Sequence, residues 1–438
     1  MTMNRLLLLL IACLSFSFLT EAQNIKSVAQ KTTTHLEQDN IGKIHASFSK
    51  KTRKAFKKML LKAAWRTVKK NNGNLVKSGK PVFGNVKGNE TATIPLDFEK
   101  SSINLVITTN QNNEIIGLRF APLAYETPSW AKNKVFGKER LTIKTDSFKL
   151  PGELLLPPDC NQCPVVILVH GSGPSDMNEG SSVSPNKLFL DLAYGFALNG
   201  IATIRYDKRT LVYQKQLANA DSFTLYEETI YDAISAVIKS KSYSFLDSNR
   251  IYVLGHSLGA YASPLIAAGN SDIKGIILLA GPYRPLFEFF PEQYAYIFGL
   301  DSLITKREAK MLHLVEEEVK FIKEEPSEVQ ELKVLGNEKI LYYFREMRTY
   351  NPAATIVNLD CRVLISQGNR DYQVRYETEF EQYKTILQNQ QHVDFQLIEG
   401  ANHQLIWGDV PSTPSEYYKP GHPDFEVIQM LSDWILEK

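Results

Sequence analysis

Three side chains far apart in this 438-residue chain have the types that acyl transfer needs: Ser257, Asp371 and His403. Ser257 lies in Gly255-His256-Ser257-Leu258-Gly259, after the apolar run Ile251–Leu254 and before a small-residue stretch beginning at Ala260. A serine on a sharp strand-to-helix turn is pushed outward, and its crowded backbone calls for glycine two residues away on either side. A serine that merely capped a helix would need neither glycine. A hydroxyl is a weak nucleophile at neutral pH, so it needs a base, and imidazole changes its charge in that range. His403 follows the strand-like end of Leu397-Ile398-Glu399-Gly400-Ala401-Asn402. An acid must then hold the imidazole tautomer and stabilise the imidazolium. Asp371 follows the strand-like Arg362–Ser366 through Gly368-Asn369-Arg370. The competing groups are placed less well. Asp360 precedes that strand, Glu377 falls in a helix-like stretch, and His422 precedes the last helix instead of following a strand.

Such chemistry also needs donors for the oxygen that becomes negative. His170-Gly171-Ser172-Gly173-Pro174 follows the strand-like Val165–Val169, and its glycines let backbone N–H groups turn towards a ligand. The N–H groups of Ser172 and of Leu258 are the expected oxyanion hole, each donor worth about 3 kcal/mol of barrier. His170 is read as a structural histidine that positions this turn, not as the base.

These residues need a scaffold, and the chain from residue 140 supplies one. Strand-like and helix-like stretches alternate: Val165–Val169, Asn186–Asn199, Ile201–Tyr206, Leu225–Ser240, Ile251–Leu254, Leu258–Ala268, Gly275–Ala280, Arg362–Ser366, Glu377–Asn389, Asp394–Ile398 and Phe425–Glu437. The strands are almost wholly apolar, as in a parallel sheet buried on both faces. The expected class is α/β, a doubly wound and mostly parallel sheet. Residues 282–350 interrupt the rhythm. Arg307–Lys323 and Ser327–Arg348 read as helices, after an aromatic-rich start at Tyr283, Phe287, Phe289 and Phe290. This insertion is expected to form a helical lid over the carboxyl edge of the sheet, where ligands bind in open α/β folds.

With these residues in view, 140–438 resembles an α/β-hydrolase. The His-Gly-Ser-Gly-Pro and Gly-His-Ser-Leu-Gly runs together resemble an exported bacterial serine esterase family, whose members carry a small cone-shaped α+β domain ahead of the hydrolase. The order nucleophile, acid, base is that fold's order. The chain departs from the family in two turns. Ser175-Asp176-Met177-Asn178 keeps only the aspartate of the family's x-Asp-Arg-Asp, and Thr210 stands where glycine is usual after Tyr206-Asp207-Lys208-Arg209. The resemblance implies short-chain or acetyl esters, including those on glycans, as substrates.

The remainder of the chain reads as an address and a small domain. Leu6–Leu19 is apolar and preceded by Arg5, but its length of about 21 Å is too short to span a membrane. With Ala22 as the small residue at the cleavage point, residues 1–22 read as a signal peptide for export to the periplasm or medium. A second reading has lipid attached at Cys13; the apolar Leu14–Leu19 that follows favours its removal with the leader. No integral span is expected after the leader is removed. Residues 23–125 read as a small α+β domain: a helix over 48–70 with Phe56, Leu60, Ala64 and Val68 every fourth residue, then strands Thr91–Phe98, Ser102–Thr109 and Glu114–Phe120. Residues 126–438 are then the hydrolase domain.

The two parts differ in charge. Residues 23–125 carry 18 Lys+Arg against 6 Asp+Glu, and residues 126–438 carry 31 against 41. The total of +2, with export, argues against a nucleic-acid partner. The lysines of 48–70 make either a solvated face or an anion site. Cys160-Asn161-Gln162-Cys163 opens no helix and has no second Cys pair, so it is a loop disulfide or two free thiols.

The expected activity is hydrolysis of a small-molecule carboxylic ester through an acyl-enzyme, with no metal or organic cofactor. The alternatives are a serine peptidase on the same scaffold and a non-catalytic binding protein on a hydrolase fold. Nothing in the sequence speaks to oligomeric state.

Overall fold

The computed structural model describes residues 24–180, 184–218, 223–324, 332–336 and 338–437. The expected leader and Cys13 lie outside them. Two compact units meet in sequence at Ala124 and Tyr125.

The first unit opens with four helices: α1 (Ile25–Glu37), α2 (Ile41–Ala46), α3 (Lys50–Ala55) and α4 (Lys58–Asn72). Five strands follow: β1 (Leu75–Ser78), β2 (Val82–Val86), β3 (Asn89–Phe98), β4 (Ser102–Thr109) and β5 (Ile115–Ala121). They form an antiparallel sheet in the order β1-β3-β4-β5, with β2 also paired to β3. Strand alternation sends Ala92, Ile94 and Leu96 inward, where they meet Ala29, Leu36, Leu61 and Trp65. The single helix expected over 48–70 is two helices. Ser49 caps α3 by accepting the Thr52 N–H, and the backbone turns extended at Phe56, whose carbonyl is held by His45 Nε2 at 3.0 Å. The break rotates the second helix, so Leu61 and Trp65 face the core while Leu60 is 52% exposed.

The second unit is built on an eight-stranded sheet. Its strands are β6 (Gly137–Thr145), β7 (Phe148–Leu156), β8 (Cys163–Val169), β9 (Ala202–Tyr206), β10 (Leu246–His256), β11 (Ile273–Leu279), β12 (Arg362–Gly368) and β13 (Val393–Ile398). Their order is β6-β7-β9-β8-β10-β11-β12-β13, antiparallel from β6 to β9 and parallel thereafter. All seven residues of β8 are buried, as an apolar central strand requires. On one face, α5 (Leu188–Leu198) and α11 (Phe425–Leu436) pack Leu192, Phe196, Ile428 and Leu431 against Val166, Leu168 and Leu254. On the other, α6 (Tyr231–Ser240) and α7 (Leu258–Ala267) pack Ala233, Val237 and Ile266 in one cluster with Val165, Ile167 and Val253. The β6–β7 hairpin, whose outer strand β6 forms the edge of the sheet, is not among the expected strands.

The insertion supplies α8 (Phe290–Gly299), α9 (Lys306–Glu324) and α10 (Glu338–Met347). Val315, Ile322, Phe344 and Met347 are buried in the same core as the sheet. Of the helix expected over 327–348, residues 327–331 and 337 lie outside the described residues; 332–336 are not helical, and the helix described is Glu338–Met347. Buried Glu318 accepts the N–H groups of Lys333, Val334 and Leu335, which takes up the donors a helix would have used internally. Cys160 and Cys163 form a disulfide at the entry to β8. No helix among the described residues is long and apolar enough to cross a membrane.

Candidate active site

Ser257 sits between β10 and α7 with φ 54° and ψ −116°, a conformation most side chains avoid. The motif glycines are required by close approach. A Cβ on Gly255 would strike the Gly259 carbonyl, and one on Gly259 would strike the carbonyls of Val169 and His170. The helix thereby begins hard against the end of β8, which brings the loop after β8 to Ser257. A Cβ on Gly171 would lie 3.2 Å from Ser257 Cβ. Ser172 is exposed, and its N–H has no acceptor among the described residues. The Leu258 N–H opens α7 and so lacks an intrahelical acceptor. Neither N–H has a hydrogen-bond acceptor among the described residues.

Asp371 and His403 come together from the ends of adjacent parallel strands, β12 and β13. His403 Nδ1 donates to Asp371 Oδ2 at 2.6 Å. The carboxylate also accepts from Gln367 Nε2 at 3.0 Å and from the N–H groups of Gln373 and Val374 at 2.8 and 3.0 Å. Four donors fix a fully buried carboxylate and leave it no freedom to turn away. Because Nδ1 carries the donated proton, Nε2 is the accepting nitrogen, and it has no partner among the described residues. No hydrogen bond joins it to Ser257 Oγ there. The two loops are nevertheless adjacent: His256 Nε2 donates to the His403 carbonyl at 2.8 Å, and the two rings lie 4.7 Å apart.

A set of buried charges stands behind these residues. Glu179 Oε1 accepts the Gly171 N–H at 2.7 Å and lies 3.1 Å from His256 Nδ1, a contact of charges without hydrogen-bond alignment. His256 faces a carbonyl with one nitrogen and a carboxylate with the other, so both want a proton. Burial disfavours that charge, but Glu179 overcomes it and raises the His256 pKa. Burial likewise pushes Glu179 up, yet His256 and the Gly171 N–H bring it below the usual carboxylate range. Lys208 Nζ donates to the Gly171 carbonyl at 2.6 Å and to Glu228 Oε1 at 2.5 Å, and Arg209 pairs with Asp232 at 2.6 Å.

His170 does not join this chemistry. Its Nε2 meets the Asp176 carbonyl at 3.0 Å, it packs on Phe189 and Tyr206, and burial lowers its pKa to about 4. His422 pairs with Asp191, 2.9 Å away, which also accepts from Tyr125. In the turn that departs from the family, Asn178 accepts from Arg205, and the retained Asp176 accepts the N–H groups of Asn178 and Gly180 through Oδ1.

The insertion reaches the acid side of this site. Tyr296 of α8 stacks on Tyr372 with ring centroids 5.1 Å apart and donates to the Ser412 carbonyl at 2.8 Å. Gln293 Nε2 donates to the Gln373 carbonyl at 2.6 Å. A cavity of about 920 Å³ lies at the opposite, amino end of the sheet, lined by Asn270, Asp272, Lys274 and Arg362, and contains none of the expected site residues. Glu179, His256 and Lys208 were not foreseen. The one sequence signal was a run of charges, Asp207-Lys208-Arg209, directly after a buried strand.

Residues 29–118 match a module described as a protein of unknown function, DUF3887. Esterase EstD of Thermotoga maritima is 34% identical over 351 residues, which is 80% of each chain. Among solved structures, Est1E from Butyrivibrio proteoclasticus is similar at 19% identity and a TM-score of 0.42, over 68% of this chain and 98% of its own. A puromycin-hydrolyzing peptidase of Mycobacterium tuberculosis is similar at 16% identity and a TM-score of 0.45, over 80% of this chain and 46% of its own. Residues 166–417 match the alpha/beta hydrolase family, and with the EstD relationship the chain belongs to that family.

Proposed function

We propose that the protein is a serine hydrolase that cleaves carboxylic esters through an acyl-enzyme. Ser257 Oγ attacks the ester carbonyl while His403 Nε2 takes its proton. The tetrahedral oxyanion is held by the N–H groups of Ser172 and Leu258. As the intermediate collapses, the ester C–O bond breaks and the alcohol leaves with the proton from His403. Water then attacks the acyl group with His403 again as base, releasing the acid and restoring Ser257. Asp371 holds the imidazole and stabilises its charged form.

The observation that carries this reading is the pairing of Asp371 and His403 at 2.6 Å beside the strained Ser257 turn, with the accepting nitrogen of His403 unpartnered. The kinship with an esterase points the same way. Short-chain or acetyl esters are the expected substrates, and export in front of the hydrolase remains the reading of residues 1–22. A peptidase needs a group to anchor the substrate amine, and the acidic insertion offers little. Glu318 is occupied by backbone N–H groups, while Glu316, Glu317 and Glu324 face solvent.

An ester panel with wild type beside Ser257→Ala tests the mechanism. Loss of at least a thousandfold in kcat is expected, the scale on which removing a triad member acts. Equal rates would end it. Faster turnover of an aminoacyl-anilide than of a p-nitrophenyl ester would favour the peptidase.

A further inference from the structure

The loop after β8 carries the exposed Ser172 N–H, and four contacts grip that loop from the turn after β9. Lys208 Nζ donates to the Gly171 carbonyl at 2.6 Å, and the Lys208 N–H donates to the Ser175 carbonyl at 3.0 Å. Thr210 Oγ1 donates to the Gly173 carbonyl at 3.2 Å, and Asp207 Oδ1 accepts the Met177 N–H at 2.8 Å. The threonine that replaces the family's glycine at 210 is thus one of the clamps.

The first contact differs from the others. The Gly171 carbonyl and the Ser172 N–H belong to one planar trans peptide, so they point in opposite directions. A group that fixes the carbonyl fixes the direction of the N–H. A cation on the carbonyl also polarises the peptide and strengthens its N–H as a donor. Lys208 is 2% exposed, so this charge acts without water between. Its ammonium is compensated by Glu228, itself nearly buried.

We infer that Lys208 is a positioning residue for the oxyanion hole: by holding the Gly171 carbonyl it aims the Ser172 N–H at the oxygen that becomes negative. This rests on the ester-hydrolysis reading above. Lys208 touches neither substrate nor Ser257; it acts through one peptide. Such aim matters most when charge develops, so its loss should appear in kcat and leave KM nearly untouched.

The test measures p-nitrophenyl acetate hydrolysis by full-length wild type, Lys208→Met, Lys208→Met/Glu228→Gln and Ser257→Ala. Lys208→Met alone strands a buried carboxylate and is expected to melt lower. The double variant removes both charges and should recover much of that loss. Titration of reactive sites with a fluorophosphonate, run to completion, gives kcat per folded molecule for wild type and the two Lys208 variants, and Ser257→Ala is normalised to its folded protein concentration. The expected result is kcat down about 100-fold in both Lys208 variants, with KM within twofold of wild type. A double variant with wild-type kcat per site would overturn the assignment, as would a loss confined to KM. Turnover by Ser257→Ala would instead overturn the ester reading itself, so the two failures are distinguishable.

Discussion

Asp371 holds its place through four donors, and the role proposed for it depends on charge more than shape. Asp371→Asn keeps the volume but cannot favour the same His403 tautomer, since its amide nitrogen is a donor. A fall of about ten-thousandfold in kcat at neutral pH is expected with the melting temperature shifted little by comparison. Steady-state kinetics and a thermal melt on the same preparation check this. At Gly259 the constraint is purely steric. Gly259→Ala forces a methyl into the Val169 carbonyl, where backbone and not a flexible side chain must yield. We expect that variant to lose several kcal/mol of stability or to fail to fold, read from soluble yield and denaturant midpoint.

At the scale of elements, the site is an assembly of loops at strand ends, and buried polar struts join them. Glu179 receives the Gly171 N–H of one loop and faces His256, which in turn donates to the carbonyl of His403 in another. The pH dependence of this strut has a definite sign. Glu179 is lowered below its ordinary 4.5, so its contribution is present above that pH and is lost as pH falls through the lowered value. His256 is raised above its ordinary 6.5, so its contribution is present below that pH and is lost as pH rises through the raised value. The pair is therefore at full strength between 4.5 and 6.5. Thermal melts of Glu179→Gln beside wild type should show the largest gap inside that window, narrowing on both sides. A gap constant across pH would contradict the ion pair. The insertion helix α8 is tied to the acid loop by stacking of Tyr296 on Tyr372. Tyr296→Ala should loosen α8, visible as faster amide exchange over residues 290–299, while α7, which follows Ser257, exchanges as before.

For the whole molecule, the two units have separate cores and opposite charge balances, a basic first part and an acidic second. The Cys160–Cys163 disulfide lies at the amino end of β8, with the length of that strand between it and Gly171. It closes a very short loop, so chain entropy assigns it only about 2 kcal/mol. Cys160→Ser/Cys163→Ser should lower the melting temperature by several degrees and leave kcat on an ester unchanged. A large change in kcat would mean that strain at one end of β8 is transmitted to the other.

How much of this was legible in the residues varies by feature. Apolar strands spaced by helices announced a parallel sheet, because burial on both faces leaves little room for polar residues. Gly-x-Ser-x-Gly announced the turn, because only glycine tolerates that approach of helix to strand. Asp371 and His403 were visible because each follows a strand-like run, buried β12 for the first and the half-buried edge strand β13 for the second. Less legible were the β6–β7 hairpin, whose buried residues are interleaved with exposed ones instead of forming a continuous apolar run, and the break at Phe56, fixed by the contact of the His45 ring with its carbonyl across eleven residues. Order along the chain was thus enough to nominate Ser257, Asp371 and His403. What a buried charge pairs with was not, because Glu179 with His256, Lys208 with Gly171, and His256 with the residue 147 positions later are choices made by packing. Local sequence sets which groups are present and how the nearby backbone bends; only the folded sheet brings distant loops to one rim and decides which donor meets which acceptor.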